Sequence, residues 1–448
     1  MWPSSALLAL SCCLATVDVA WSQQPNPKGK AKPAPVPAKG PAPAFVIDSE
    51  TLPPDFVPPR EQDPLFSVIK PLALPDEMDK LKKDESKAQS AFNRGEWNDA
   101  SKAVIHNVIR HRLSQMCLEK NLQRETLNEL YKLRVDLLRA LNGAGSTAQD
   151  LKPEQLKKFR SEVMLEFVKQ ATPLLENNLY VREQVVIMLG ELELVQENPK
   201  KGVAAEAFTP AFEPLVSVIA DPKQPASVKL LAVNKLTRVL KIGTPNVNER
   251  TKIAEAIIAE LAKTDTHWWY QMRLAGTLGS VALDQLKQPI VVTALKGVVS
   301  DPKRAWTVRA EAAKALGRVP LPPASDPPSV VRAIADLALQ LAKAAQQKPD
   351  DPQWKTAFWK VYLAFVPFDA KDTDATKAGK TGLLNNAIVG GSAKTAYAVI
   401  IPLVRAILNG QRLTAAQLSD LETWLKANTP GGGQVNPPTG ESKEPVAQ

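Results

Sequence analysis

Apolar residues recur through the middle of the chain at the spacing of one helix face: 0, +4, +7, +8 and +11. Val181 starts one copy, with Val185, Met188, Leu189 and Leu192. Val228 starts the next, with Ala232, Leu236 and Val239. Tyr270, Leu274, Leu278 and Val281 make a third, and Val308, Ala312, Ala315, Leu316 and Val319 a fourth. The fifth is Trp354, Phe358, Val361, Tyr362 and Phe365. Only Lys235 and Thr277 break the template, and the starts lie 47, 42, 38 and 46 residues apart. Another amphipathic segment precedes each copy: Val163–Leu175, Phe212–Ile219, Ile253–Leu261, Ile290–Val299 and Val330–Leu341. Each unit is therefore expected to be a helical hairpin. One hairpin cannot bury both its faces, so neighbours must stack. The pattern predicts an all-α chain, a right-handed superhelical α-solenoid of about five hairpins with helical caps at both ends. No segment between 76 and 428 alternates with the period of a strand.

Two stretches repeat at an offset of 80 residues, sharing Asp-Pro-Lys and the apolar positions that follow. Residues 218–236 read VIADPKQPASVKLLAVNKL and residues 298–316 read VVSDPKRAWTVRAEAAKAL. Asp-Pro closes a first helix, Val-Arg opens a second at Val308-Arg309, and an alanine-rich run leads to Leu316-Gly317. Leu189-Gly190 and Leu278-Gly279 end two other copies in the same way. This arrangement resembles the HEAT repeat of the armadillo-type solenoids, over roughly residues 160–368. The resemblance implies a stacked-hairpin scaffold and a protein-binding role. Ala88, Ala91, Gly95-Glu96-Trp97 and Ala100 resemble a single tetratricopeptide hairpin.

The ends have a different composition. Residues 1–22 read as a signal peptide: an apolar run from Ala6 to Ala15, then Ala20-Trp21-Ser22 as a small-x-small cleavage site. Cys12 or Cys13 would be the acceptor if the leader were instead lipidated. An exported protein, in the periplasm, cell envelope or outside the cell, is expected. Residues 23–75 read as a Pro/Ala/Lys tether passing into an extended strap. Phe45, Phe56, Val57, Leu65 and Phe66 would give the strap its grip on the folded body. An N-terminal helical cap (76–150), the repeat domain (151–428, with an insertion loop at 369–396) and a disordered tail (429–448) complete the expected plan. No second apolar run of 18 residues suggests a membrane span.

Charge adds little. Lys plus Arg is 56 against 47 acids, a net +9. The tether alone carries Lys28, Lys30, Lys32 and Lys39 without an acid. The remainder is too dilute for a nucleic-acid binder, though compatible with an anionic envelope polymer. Three histidines and three cysteines offer little to a metal, and His106 and His111 project from different sides of a helix. No His-Glu pair occurs, so the iron-dependent hydroxylase chemistry known on HEAT-like repeats has no ligands here. Asp374–Thr381 imitates the end of a phosphate-binding loop, but places an acid where glycine is required. Cys117 reads as a small buried hydrophobe. No catalytic residue, cofactor or metal is expected.

The residue after each template start is Arg182, Lys229, Gln271, Arg309 or Lys355. These could present a basic row to a partner or tie successive turns together. Trp268, Trp269 and Trp306 lie one or two residues before the template starts, where they could stack on a glycan, grip a peptide or pack between hairpins. Arg182, Lys229, Arg309, Lys355, Trp268, Trp269 and Trp306 are thus the candidate partner-binding residues.

Overall fold

A computed structural model of the chain describes residues 53, 55, 56, 64–148, 151–281, 289–367 and 381–429. The chain divides into two units, Met1–Val46 and Ile47–Gln448, and all described residues belong to the second. The expected signal peptide with Cys12 and Cys13, the tether up to residue 52, the first part of the insertion (369–380) and the tail from 430 lie outside the described residues.

The fold is all-helical. Sixteen α-helices occur among the described residues: α1 (Pro75–Lys82), α2 (Glu85–Arg94), α3 (Asp99–Met116), α4 (Leu127–Asn142), α5 (Pro153–Ala171), α6 (Leu179–Glu191), α7 (Phe212–Ala220), α8 (Ala226–Ile242), α9 (Val247–Leu261), α10 (Trp268–Leu278), α11 (Ile290–Ser300), α12 (Trp306–Leu316), α13 (Pro327–Gln347), α14 (Gln353–Phe365), α15 (Gly390–Leu408) and α16 (Ala415–Ala427). The expectation of no strand is corrected at one place. β1 (Glu193–Val195) pairs antiparallel with β2 (Glu206–Ala207) between α6 and α7. Strands of two and three residues are too short to write a period-two pattern.

Helix limits follow local chemistry. Thr414 and Gln417 form a reciprocal capping box at the start of α16. Gly410 takes the left-handed conformation just beyond α15 (φ 70°). After α7 and α11 the chain turns identically. The Asp221 carboxylate accepts from the Lys223 N–H at 2.9 Å, and that of Asp301 from the Lys303 N–H at 3.0 Å.

The template positions form the core. Every one is buried except Tyr362, which is half-buried, and the two polar exceptions, Lys235 and Thr277, are buried as well. Helix α6 packs on α8, α8 on α10, α10 on α12 and α12 on α14. Helices α7, α9, α11 and α13 pack in the same succession, each also against the helix that follows it. The glycine that ends a copy marks a close approach between α6 and α8, α10 and α12, and α12 and α14. A Cβ on Gly190 would lie 2.2 Å from Lys235 Cβ, and one on Gly279 2.7 Å from Ala315 Cβ. One on Gly317 would lie 2.1 Å from the Ala364 carbonyl oxygen.

At the N-terminal end, α1, α2 and α4 pack on α3, and α3 and α4 on α5. At the other end α15 packs on α13 and α14, and α16 on α13 and α15. The insertion is shorter than expected, because Leu383 and Val389 are already buried and α15 begins at Gly390. Helix α15 is long and apolar enough to cross a membrane, the one such helix among the described residues. Its buried face, with Ala393, Ala396, Ile400, Leu403 and Val404, lies in the core.

Candidate functional site

The expected basic row is mostly internal. The Arg182 guanidinium donates to the Asn177 carbonyl at 2.6 Å and to Gln224 Oε1 at 3.1 Å. Lys229 Nζ meets Glu260 at 2.8 Å, with both side chains buried. Arg309, only 1% exposed, donates to the Val299 carbonyl at 2.9 Å and to Gln340 Oε1 at 2.8 Å. Each side chain reaches into the next hairpin. Arg182, Lys229 and Arg309 therefore have no free charge to offer a partner, and what they do is join neighbours. Lys355, on the last copy, is exposed. With Trp354, Gln346, Asp350, Ile407 and Arg412 it lines an open groove of about 740 Å³.

Gln271, the break in the row, keeps the same geometry with the chemistry exchanged. In the Arg182 copy the row supplies arginine and the next turn supplies Gln224. Gln224 in turn donates to the Leu175 carbonyl at 2.8 Å. In the Gln271 copy the row supplies glutamine and the next turn supplies Arg304. Arg304 donates to Gln271 Oε1 at 3.0 Å and to the Leu261 carbonyl at 2.7 Å. Gln224 and Arg304 occupy the same place in the two repeated stretches. Gln271→Arg or Arg304→Gln alone is expected to destabilise by about 1–2 kcal/mol. The double exchange is expected to return to within about 0.5 kcal/mol of wild type. Urea unfolding of the four proteins checks this, and additive losses would contradict it.

The tryptophans divide into two groups. Trp306 packs edge-on to Trp354 (ring centroids 6.1 Å apart), beneath the Arg309 guanidinium at 4.8 Å. Trp268 and Trp269, with His267, hold part of the chain's own N-terminal strap. The Trp268 indole N–H donates to Asp55 Oδ2 at 2.6 Å. This hydrogen bond is the main reason the Asp55 carboxyl is held below the usual carboxylate range. Phe56 is buried, edge-on to His267 (5.2 Å) and to Trp269 (5.4 Å). His267 caps α10: its Nδ1 accepts from the Trp269 N–H at 3.1 Å. The other ring nitrogen, Nε2, lies 3.3 Å from Asp55 Oδ2.

A second strap contact lies at the start of α6. The Asn177 side chain clasps the backbone of Lys70 from both sides. Its Oδ1 accepts from the Lys70 N–H at 3.1 Å, and its Nδ2 donates to the Lys70 carbonyl at 2.6 Å. Asn178 Nδ2 donates to the Phe66 carbonyl while its Oδ1 caps α6 at Tyr180. The Phe66 ring packs on Tyr180 at 5.1 Å. The strap thus touches the starts of α6 and α10, two helices separated by α8 in the stack.

No protein-family model and no curated protein matches the chain. The site therefore rests on its own geometry.

Sequence reasoning placed Trp268 and Trp269 correctly at helix starts but missed Asn177, Asn178, Asp55 and His267. Asn177-Asn178 carried a readable signal. One asparagine suffices to cap a helix, so the spare amide had to pair elsewhere. His267 and Asp55 carried none, because they lie 212 residues apart.

The other two histidines and Cys117 are engaged within the fold. His106 meets Glu166 at 2.7 Å and His111 meets Glu85 at 2.9 Å. Burial pushes the Cys117 thiol up to about 12, well away from a reactive thiolate. No cluster of three His, Cys, Asp or Glu that could hold a metal occurs among the described residues.

Proposed function

We propose that this chain is an exported, non-catalytic scaffold: a right-handed superhelical solenoid of HEAT-like hairpins that binds a protein partner along its repeat surface. The observation that carries the reading is the strap. The starts of α6 and α10 hold a proline-containing segment, turned at Pro53–Phe56 (Phe56 N–H to the Pro53 carbonyl, 3.0 Å) and at Pro64–Phe66, through backbone-directed asparagine amides and an aromatic notch. A surface able to hold one short, proline-containing chain segment has the chemistry to hold another. The succession of helix contacts from α6 to α14 supports the solenoid, and close approach at the Leu-Gly positions supports the HEAT resemblance.

An anionic envelope polymer is less favoured. Three of the four expected cations are internal, so that reading rests on the net charge of +9 and the lysine-bearing tether. The test is capture on the full-length chain from the native cell envelope, then reconstitution with the purified partner at rising salt. A stoichiometric complex that persists at about 0.5 M salt is expected for an apolar and hydrogen-bonded groove. Retention only of polymer, lost as ionic strength rises, would replace this reading with the alternative.

A further inference from the structure

We infer that His267, Trp268 and Trp269 form a recognition notch for an acidic residue followed by an aromatic one, occupied in cis by Asp55-Phe56 and open to the same motif on a partner protein. The inference rests on the scaffold reading and names the ligand class for one part of the repeat surface.

The notch has two chemically distinct halves. One half is polar. The Trp268 N–H and His267 Nε2 both face Asp55 Oδ2, at 2.6 and 3.3 Å, at the N-terminal end of α10. The helix dipole there adds to the preference for an anion. The other half is aromatic. The His267 and Trp269 rings meet Phe56 edge-on from two sides and take it out of water. Trp269 is itself fixed from behind by the Arg273 guanidinium, 5.7 Å from its ring. The helix cap fixes the His267 ring through Nδ1, so the placement of Nε2 beside the carboxylate is part of the backbone fold of α10.

The occupant, in contrast, is weakly built in. The Asp55 side chain stays more than half exposed (57%). The sequence around it, Pro53-Pro54-Asp55-Phe56-Val57-Pro58-Pro59, is proline-rich, and the local backbone bond at Asp55-Phe56 is a single turn, the Phe56 N–H donating to the Pro53 carbonyl at 3.0 Å. Prolines also reduce the entropy lost when such a segment binds. A pre-organised receptor and a short tethered ligand are the elements of a displaceable plug. A partner segment with the same chemistry competes against the tether's effective concentration, not against the fold.

The test uses the full chain and a synthetic peptide of residues 51–60, TLPPDFVPPR, followed by tryptophan fluorescence and calorimetry. The double variant D55A/F56A vacates the notch. It is expected to bind the peptide, and wild type to bind it at least about tenfold more weakly, because its own strap competes. On the vacated variant, a peptide with Asp replaced by Asn should bind about five- to tenfold more weakly. W268F, added to the vacated variant, should erase that Asp-over-Asn discrimination while leaving the aromatic contact. A peptide with Phe replaced by Ala should not bind. These peptide comparisons are made on one folded protein, so they do not depend on how a variant folds.

Three results would overturn the inference: no peptide binding by a vacated variant of wild-type helicity, equal binding by wild type and variant, or indifference to the Asp and Phe substitutions. Concentration-dependent dimerisation of wild type that D55A/F56A abolishes would assign the notch to strap exchange between copies and would also overturn it. Failure of the peptide leaves the scaffold reading intact, since partner reconstitution tests that separately.

Discussion

Gly317→Ala is expected to destabilise the protein by about 3 kcal/mol or more, the upper end of overpacking effects. The added Cβ would sit 2.1 Å from the Ala364 carbonyl oxygen and 2.8 Å from its Cα. Both are backbone atoms, so no side chain can rotate away. Relief would require α12 and α14 to separate, and α14 is anchored by buried Trp354, Phe358, Val361 and Phe365. The Gly317 carbonyl also accepts from the Gly382 N–H at 2.7 Å, which ties the segment before α15 to the same point. The residue has ordinary helical dihedrals (φ −71°), so the requirement is for space and not for backbone freedom. Gly297 is the control. It lies exposed on α11, and a Cβ added there would meet no other atom within 4 Å. Gly297→Ala should stabilise by about 0.5–1 kcal/mol, the helix-propensity difference. Urea midpoints of the two variants check both signs. A Gly317→Ala protein as stable as wild type would show that α12 and α14 are not held at this distance.

Much of this was legible in sequence because burial follows periodicity. The five-position template named the core positions with one half-buried exception, Tyr362. Even its polar departures obey it. Lys235 lays its methylenes over Gly190 and turns its ammonium to Glu191 at 2.9 Å. Thr277 shares a hydrogen bond with Thr237 across α8 and α10 at 2.6 Å. The lateral locks were not legible. Arg182 with Gln224, and Gln271 with Arg304, do one task with the donor and acceptor exchanged, so a search for a recurring residue type reports a break where the geometry has none. The apolar side chains of the strap were legible, but its turns at Pro53–Phe56 and Pro64–Phe66, where an extended segment was expected, and its landing points were not. An intramolecular contact across more than two hundred residues leaves no local pattern. The identical Asp221 and Asp301 turns fall between these cases: the Asp-Pro-Lys match was plain, and the reach of Gln224 and Arg304 from it was not.

Glu183 should make stability fall as pH rises, and Glu183→Gln should remove that slope. Helix α6 buries eleven of its thirteen residues, because α4, α7, α8 and the strap residues Pro64–Phe66 all pack on it. Glu183 shares this enclosure, and its Oε1 has no hydrogen-bond partner. Burial without a cation pushes its carboxyl up to about 8. Other buried acids behave oppositely: burial alone would raise Glu311, but Lys360 at 2.9 Å and Lys314 hold it below its ordinary value. For Glu183 the sign follows from proton counting. Between the ordinary glutamate value and about 8, the native state holds one proton more than the unfolded chain, so each pH unit in that window removes about 1.4 kcal/mol. Across the whole window the loss is on the order of 5 kcal/mol. Glutamine keeps the shape of the neutral acid and cannot ionise. The variant should therefore match wild type near pH 5 and exceed it by several kcal/mol near pH 8, as on the order of three such units accumulate. Taking the difference between the two proteins at each pH cancels the opposing contributions of Glu311, Glu260 and the other paired acids. A difference that stays constant from pH 5 to 8 would mean that the Glu183 carboxylate finds solvent or a cation that this packing does not provide.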